Sequence, residues 1–264
     1  RRGFTHVSFH GVCSRIAFMI DITLWSFVAV AVVVLATACT QAVVGFGFAL
    51  LTVPIMMQIV GLQRAVILAS LIGTANNVFQ YRDLKHNQDK PQVKRFLLAS
   101  CVGAPFGLIA FSYANQQVLK ILLGVGVLFG VLLLARGRDL THAHVSLDWS
   151  MGVISGFLLT STSTNGPPLV FAMQARKSDP QVFRSTLNMV FLVSGIYGLV
   201  LFAVFGEIAL SDIWISLALL PSMIVGVYAG RFIRNRVDPD RFRLLVLVLL
   251  ALAGLSSLYS GLLG

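Results

Sequence analysis

Charge is what this sequence lacks. Only 11% of its 264 residues are Asp, Glu, Lys or Arg, where a soluble domain carries about a quarter, and 57% are hydrophobic. No water-facing surface can be assembled from that composition. Acidic residues are the scarcer sign, ten against twenty basic, and they fall in connecting segments or at the ends of apolar runs. That excludes the intramembrane carboxylate relay of ion pumps and many proton-coupled carriers. The five histidines, His6, His10, His86, His142 and His144, also fall outside the apolar runs, so the hydroxyls of residues 160–164 have no base beside them and an intramembrane hydrolase is excluded. Cysteine is limited to Cys13, Cys39 and Cys101, with no metal-type spacing; no metal site and no cofactor motif is expected. Cys39 and Cys101 lie in apolar runs and are expected to serve as small core hydrophobes.

What is abundant is apolar sequence in bilayer-length pieces. Punctuation by charge, Pro and Gly cuts the chain into ten segments, near 22–42, 46–60, 65–81, 94–113, 117–135, 149–164, 167–175, 185–205, 212–231 and 241–261. A span of the hydrocarbon core takes about 20 residues. The pieces 46–60, with Pro54, and 167–175, opening on Pro167 and Pro168, are too short and read as half-helices or broken helices. The fold class expected is an all-α polytopic membrane protein of eight to ten transmembrane segments, in two inverted repeats with broken or re-entrant half-helices.

The duplication rests on an ordered set of matches. GAPFG at 103–107 falls on GVYAG at 226–230, an offset of 123; Arg64 falls close to Arg184, and Gly45-Phe46-Gly47 close to Asn165-Gly166-Pro167. The expected division is an extension at 1–18 with the native start at Met19, a first repeat at 19–135, a linker at 136–148 and a second repeat at 149–264. The net charge of +10 does not indicate nucleic acid, because the basic residues are spread over short loops without stacking aromatics. Fifteen of the twenty, in the loops around 82–95, 136–138, 176–184 and 231–243, fall on one side if the chain crosses ten times with both ends outside. The positive-inside rule makes that side cytoplasmic, and five crossings per half turn the second half upside down, a known transporter design.

Two polar interruptions mark a candidate site. Gln41, Gly45 and Gly47 interrupt the first repeat, and Thr160 to Thr164 followed by Asn165, Gly166 and paired prolines interrupt the second. Gly permits local unwinding, and Pro suits a helix's first turn. Two helix starts would then aim free amides and positive dipole ends at a common point, which favours a small oxyanion. The substrate-binding residues expected are Gln41, Gly45, Gly47, Asn76, Thr162, Thr164, Asn165, Gly166 and Asn188. Asn77, Gln80 and Gln174 are further polar residues within apolar runs. Arg64 and Arg184 are expected either to snorkel to headgroups or to attract the anion. GAPFG and GVYAG read as small-residue helix contacts.

VVGFGFALLTVP at 43–54, NGPPLVFAM at 165–173 and FRSTLNMVF at 183–191 together resemble the TauE/SafE-type sulfite exporter family, over nearly everything from residue 23 onward. The resemblance implies a duplicated permease of the bacterial inner membrane handling sulfite, sulfonates or related small organosulfur anions. The glycine-rich stretch of that family is often denser than Gly45-Phe46-Gly47-Phe48-Ala49. The partners expected are the small anionic substrate and the lipid bilayer, with assembly into a homo-oligomer left open. A broad small-metabolite exporter of another ten-helix class and a non-transporting membrane scaffold subunit are the competing functions; the chain is not expected to be an enzyme.

Overall fold

The computed structural model describes residues 23–84, 87–136, 145–174, 179–234, 236 and 239–263. Within them the chain forms ten helices: α1 Leu24–Val44, α2 Phe48–Val60, α3 Leu62–Leu84, α4 Lys90–Tyr113, α5 Gln116–Arg136, α6 Ser146–Thr162, α7 Gly166–Gln174, α8 Pro180–Val204, α9 Leu210–Arg234 and α10 Pro239–Leu263. Each apolar segment of the sequence became one helix. Several begin earlier than the apolar run because an acidic cap starts them in the loop: Asp89 Oδ1 accepts from the Gln92 amide at 3.0 Å and Asp179 Oδ1 from the Gln181 amide at 2.8 Å, with Pro91 and Pro180 in the first turns. The expected start at Met19, Cys13, and the basic residues Lys85, Arg138, Arg176 and Lys177 lie outside the described residues.

Four helices, α1, α4, α8 and α9, are long and apolar enough to cross a membrane by composition alone. Their outer faces are apolar: Val102, Phe106 and Ile109 on α4, Ile196 and Val200 on α8, and Val225 and Phe232 on α9 are all exposed. Buried polar residues gather inside instead, among them Gln41, Asn76, Asn77, Thr160 and Asn188. An apolar exterior around a polar interior is what a bilayer solvent selects. Cys101 corrects an expectation here: it sits on the exposed face of α4 and Cys39 is only half-buried, since a small thiol is as soluble in lipid as in a core.

Glycine sets the close pairings. A Cβ at Gly103 or Gly107 of α4 would meet the carbonyl oxygens of Val153 and Phe157 on α6, and one at Gly226 or Gly230 of α9 would meet those of Leu35 and Cys39 on α1. The packing role expected for GAPFG and GVYAG therefore holds, as small-residue contacts between helices. In both pairs residue numbers rise together, so α4 runs parallel to α6, and α9 parallel to α1.

Salt bridges fix the two ends of the bundle. Arg64 Nε pairs with Asp212 Oδ1 at 3.0 Å, and Arg231 pairs with Asp83. Both α3 and α9 therefore run from one ion pair to the other, 19 residues apart on each helix, or about 29 Å at 1.5 Å per residue. That matches the thickness of the hydrocarbon core, about 30 Å. Ser112 bonded to Glu207 belongs to the Asp212 end. At the other end, Arg95 Nε meets Asp148 Oδ2 at 2.8 Å, Asn87 Nδ2 donates to Gln181 Oε1 at 2.9 Å, and the Asp89 amide donates to Thr186 Oγ1 at 3.0 Å. It follows that α1 enters from the Asp212 end and α6 from the opposite, basic end. The helix pairings α1–α9, α3–α8, α4–α6 and α5–α10 are exchanged or kept when each helix is replaced by the one five positions along.

Candidate functional site

Both half-helices start inside the bundle. With 13 and 9 residues, α2 and α7 are about 20 and 14 Å long, too short to cross. The chain reverses before each by a left-handed residue. Gly45, at φ 95°, ends α1 and Gly47, at φ 104°, precedes α2. In the second half Ser163, at φ 58°, ends α6, with its amide on the Leu159 carbonyl and the Thr164 amide on that of Leu158. Glycine adopts that region without steric cost; serine does so here with both amides satisfied. The structural counterpart of Gly45 is thus Ser163, two residues before the Asn165 that glycine matching selects. Residue identity misplaced the register because the second half makes its turn without glycine.

Between the two breaks lies a cavity of about 60 Å³. Of the residues expected to bind substrate, Gln41, Gly47, Thr164, Asn165 and Gly166 line it. Asn77, Ser70, Thr74 and Ser163 line it as well. Ser70, Thr74 and Asn77 recur at helical spacing, one polar stripe on α3 that the periodicity of the sequence carried. The apolar walls are Phe48, Leu50, Leu159, Phe191 and Phe202, and no ionisable side chain is among the lining residues.

Asn76 and Asn188 stand behind this lining and orient it. Gln80 Nε2 donates to Asn76 Oδ1 at 3.1 Å, Asn76 Nδ2 to Gln41 Oε1 at 3.0 Å, and Gln41 Nε2 to Asn77 Oδ1 at 2.8 Å. Asn188 Nδ2 donates to the Asn77 carbonyl oxygen at 3.3 Å and to Oδ1 at 3.4 Å. The carboxamide chain ends on Asn77 with its oxygen occupied twice, so the hydrogen-bonding capacity left to that side chain is its Nδ2 donor. Asn77 Nδ2 makes no hydrogen bond within the described residues. Thr162 is likewise one step back, its hydroxyl 2.7 Å from that of Thr164, and Ser70 and Ser163 share a hydroxyl contact of 3.0 Å.

The two helix starts contribute unequally. In α2 the first intrahelical bond closes from the Leu51 amide to Gly47, which leaves the amides of Phe48, Ala49 and Leu50 unpaired within the helix; all three residues line the cavity. In α7 the second and third positions are Pro167 and Pro168, which have no N–H to offer. Of the two helix starts, α2 therefore offers the cavity more free amides than α7.

Neither arginine lines the cavity. Arg64 is held by Asp212 and also donates to Ser211 Oγ at 3.4 Å, so its surroundings are an ion pair between the two halves of the chain and not the headgroup exposure expected of a snorkelling residue. Arg184 is half-buried, with its aliphatic stem against the α1–α2 break: a Cβ at Gly45 would lie 2.7 Å from Arg184 Cγ. That contact, together with its left-handed φ, is the place of Gly45, which does not line the cavity. The side chain of Gln174 lies outside what is described. No cluster of metal-ligating residues occurs among the described residues.

Among known protein families, the chain matches the model described as sulfite exporter TauE/SafE over residues 29–257. No curated protein and no solved structure matches.

Proposed function

This chain belongs to the sulfite exporter TauE/SafE family, a multi-pass membrane transporter family, and on that premise we propose that it is a permease for a small oxyanion, sulfite or a compact organosulfur anion such as a sulfonate. The observation that carries the reading is the polarity of the cavity: donors converge on it and no fixed charge occupies it. Asn77, Thr74, Thr164 and the first-turn residues of α2 all line one small space, and amides at a helix start favour an anion. A volume near 60 Å³ leaves room for a compact oxyanion, since about 10–15 Å³ on a water-probe measure already admits one water. An exporter of apolar metabolites would need apolar walls throughout, and these polar groups would then be left desolvated.

Inverted duplication is part of the proposal, and two features support it: α1 and α6 enter from opposite ends, and the left-handed residues Gly45 and Ser163 occupy equivalent breaks. We place the basic end, with Arg82, Arg95, Arg231 and Arg234, in the cytoplasm of a bacterial inner membrane by the positive-inside rule. A membrane potential negative inside then favours outward anion movement by about 2.3 kcal/mol per charge per 100 mV, which makes export the downhill direction.

Counterflow tests the function. Purified protein in liposomes loaded with unlabelled sulfite should accumulate labelled sulfite transiently and saturably. A scaffold subunit would show no counterflow, and that result, with the protein folded and inserted, would sink the transport reading.

A further inference from the structure

A second space opens at the Asp212 end of the bundle. It has a volume of about 400 Å³ and is walled by Gly61, Gln63, Arg64 and Ile67 at the α2–α3 corner, by Phe111 on α4, and by Glu207 and Asp212 before and in α9. Its relation to the central cavity is given by two observations. First, one face of α3 serves both spaces: Arg64 and Ile67 wall the vestibule, while Ser70, Thr74 and Asn77 wall the cavity, at successive intervals of three, three, four and three residues along one helix stripe. Second, Phe111 of the vestibule wall packs edge to face on Phe202 of the cavity wall, with ring centroids 5.1 Å apart and planes at 65°. Both side chains are fully buried, each 1% exposed.

We infer that the vestibule is the outer half of the substrate route and that the Phe111–Phe202 pair is the barrier closing it from the binding cavity. The inference rests on the transport reading above and adds to it the place where the path is shut. A hydrated oxyanion cannot pass between two packed aromatic rings without losing water to apolar surface, a large cost, whereas an edge-to-face contact separates at modest cost. The rings belong to α4 and α8, which pack against each other. A small displacement of one helix against the other near the rings parts them and strains only the long bond from Tyr197 Oη to the Cys101 carbonyl, 3.5 Å, among the described bonds along the two helices, while the Asp89–Thr186 bond at the far end can act as the pivot. On the vestibule side the wall carries Arg64 paired with Asp212 and, besides, the Glu207 carboxyl, which accepts from Ser112, so the anion finds no bare cation there to trap it.

Accessibility of a reporter cysteine tests this directly and needs no turnover. In a chain with Cys13, Cys39 and Cys101 changed to Ser, Thr74→Cys places a thiol on the cavity wall and Gln63→Cys places one on the vestibule wall. An impermeant methanethiosulfonate added at the Asp212 end should label Gln63→Cys rapidly whatever stands at position 111. Thr74→Cys should label slowly with Phe111 present and about ten-fold faster with Phe111→Ala, the change in opening equilibrium that loss of one edge-to-face pair supplies. Phe111→Leu, which keeps most of the core volume, should fall between them and guards against a misfolded Ala variant. Equal Thr74→Cys rates in all three backgrounds overturn the barrier, and so does failure to label in any of them while Gln63→Cys reacts. Methanesulfonate, which unlike sulfite does not attack the thiosulfonate reagent, should protect Thr74→Cys when present during labelling; absence of protection alongside the ten-fold acceleration would sink the substrate assignment and leave the barrier standing.

Discussion

Replacing Asn77 by Asp changes one group in the cavity and almost no volume. The side-chain oxygen that accepts from Gln41 Nε2 at 2.8 Å and Asn188 Nδ2 at 3.4 Å is kept, so the carboxamide chain behind it survives and folding is expected to be unaffected. What changes is the Nδ2, which the proposed function sets against the anion. Loss of a hydrogen bond to a charged group removes about 1.5–3 kcal/mol. A carboxylate about 4 Å from an anion repels it by about 4 kcal/mol at an effective dielectric constant near 20. Together they approach 6 kcal/mol, a loss of affinity on the order of 10⁴-fold. The measurement is binding of an alkylsulfonate, whose own charge is constant with pH, to purified protein across a pH series. No cation lines the cavity, so nothing there offsets the charge of the introduced carboxylate. Protonating it removes the repulsion and restores a donor. Affinity should therefore return as pH falls and vanish as pH rises, a dependence the unsubstituted protein lacks. Unchanged affinity of Asn77→Asp across the whole series would refute the placement of the anion against Asn77.

The remaining expectations concern bulk, the ion pair and topology. Gly166→Leu, whose side chain would crowd Leu50 and Phe191, should abolish sulfite counterflow at near-normal membrane expression, and Gly166→Ala, meeting only ordinary contacts at 3.6 Å and beyond, should retain it; Gly47→Leu, with open space around its Cβ position but a left-handed φ of 104° that a side chain strains, should abolish counterflow and lower stability as well. Gly107→Leu and Gly230→Leu, which would drive side chains into the backbone of α6 and α1, should instead lower thermal stability and yield, a distinction that size-exclusion profiles and melting curves resolve. Removing either partner of the Arg64–Asp212 pair should cost about 1.5–3 kcal/mol of stability, and a double-mutant cycle should recover most of it as coupling; additive single effects would deny the pair. Cysteine at Ser211 should react with an impermeant thiol reagent outside the cell while cysteine at Asn87 is protected, and equal labelling of both would overturn the orientation.

Helix number and position were legible because the bilayer imposes a length and an apolar composition that periodicity and punctuation record directly. The two short helices were legible for the same reason, since a run of 9 or 13 residues cannot span. What failed to show was everything decided by the direction of a side chain around a helix. Asn76 and Asn77 are adjacent in sequence and about 100° apart on α3; aligning the halves picked Asn76, yet Asn77 faces the cavity and Asn76 holds Gln41 in place. Ser163 was passed over in favour of the glycine two positions from its neighbour because the left-handed turn of the second break is made without glycine. Arg64 read as a lone cation because its partner, Asp212, lies 148 residues away, a pairing that local pattern cannot carry. Proline told half its story: Pro167 and Pro168 did signal a helix start, and the same residues leave the start of α7 two amides short.

A neutral cavity is also the more workable one for a permease that must let go. A bare arginine against a bound oxyanion would add about 4 kcal/mol at 4 Å with an effective dielectric constant near 20, and release would slow by roughly the 10³-fold that this energy represents. The chain avoids that trap in two ways. Arg64, nearest the proposed exit, is neutralised by Asp212, and Arg184 packs its stem against Gly45 outside the cavity. Attraction by amide and carboxamide dipoles holds the anion only while the surrounding helices keep those dipoles aimed at one point. Because α2 supplies most of the amides and α3 the Asn77 donor, a small shift of these two helices against α7 and α8 would weaken binding. Arg184 can then draw anions from the basic end without ever being part of the site that must release them, and Arg184→Gln should raise the apparent KM for sulfite from that side while leaving the maximal counterflow rate unchanged.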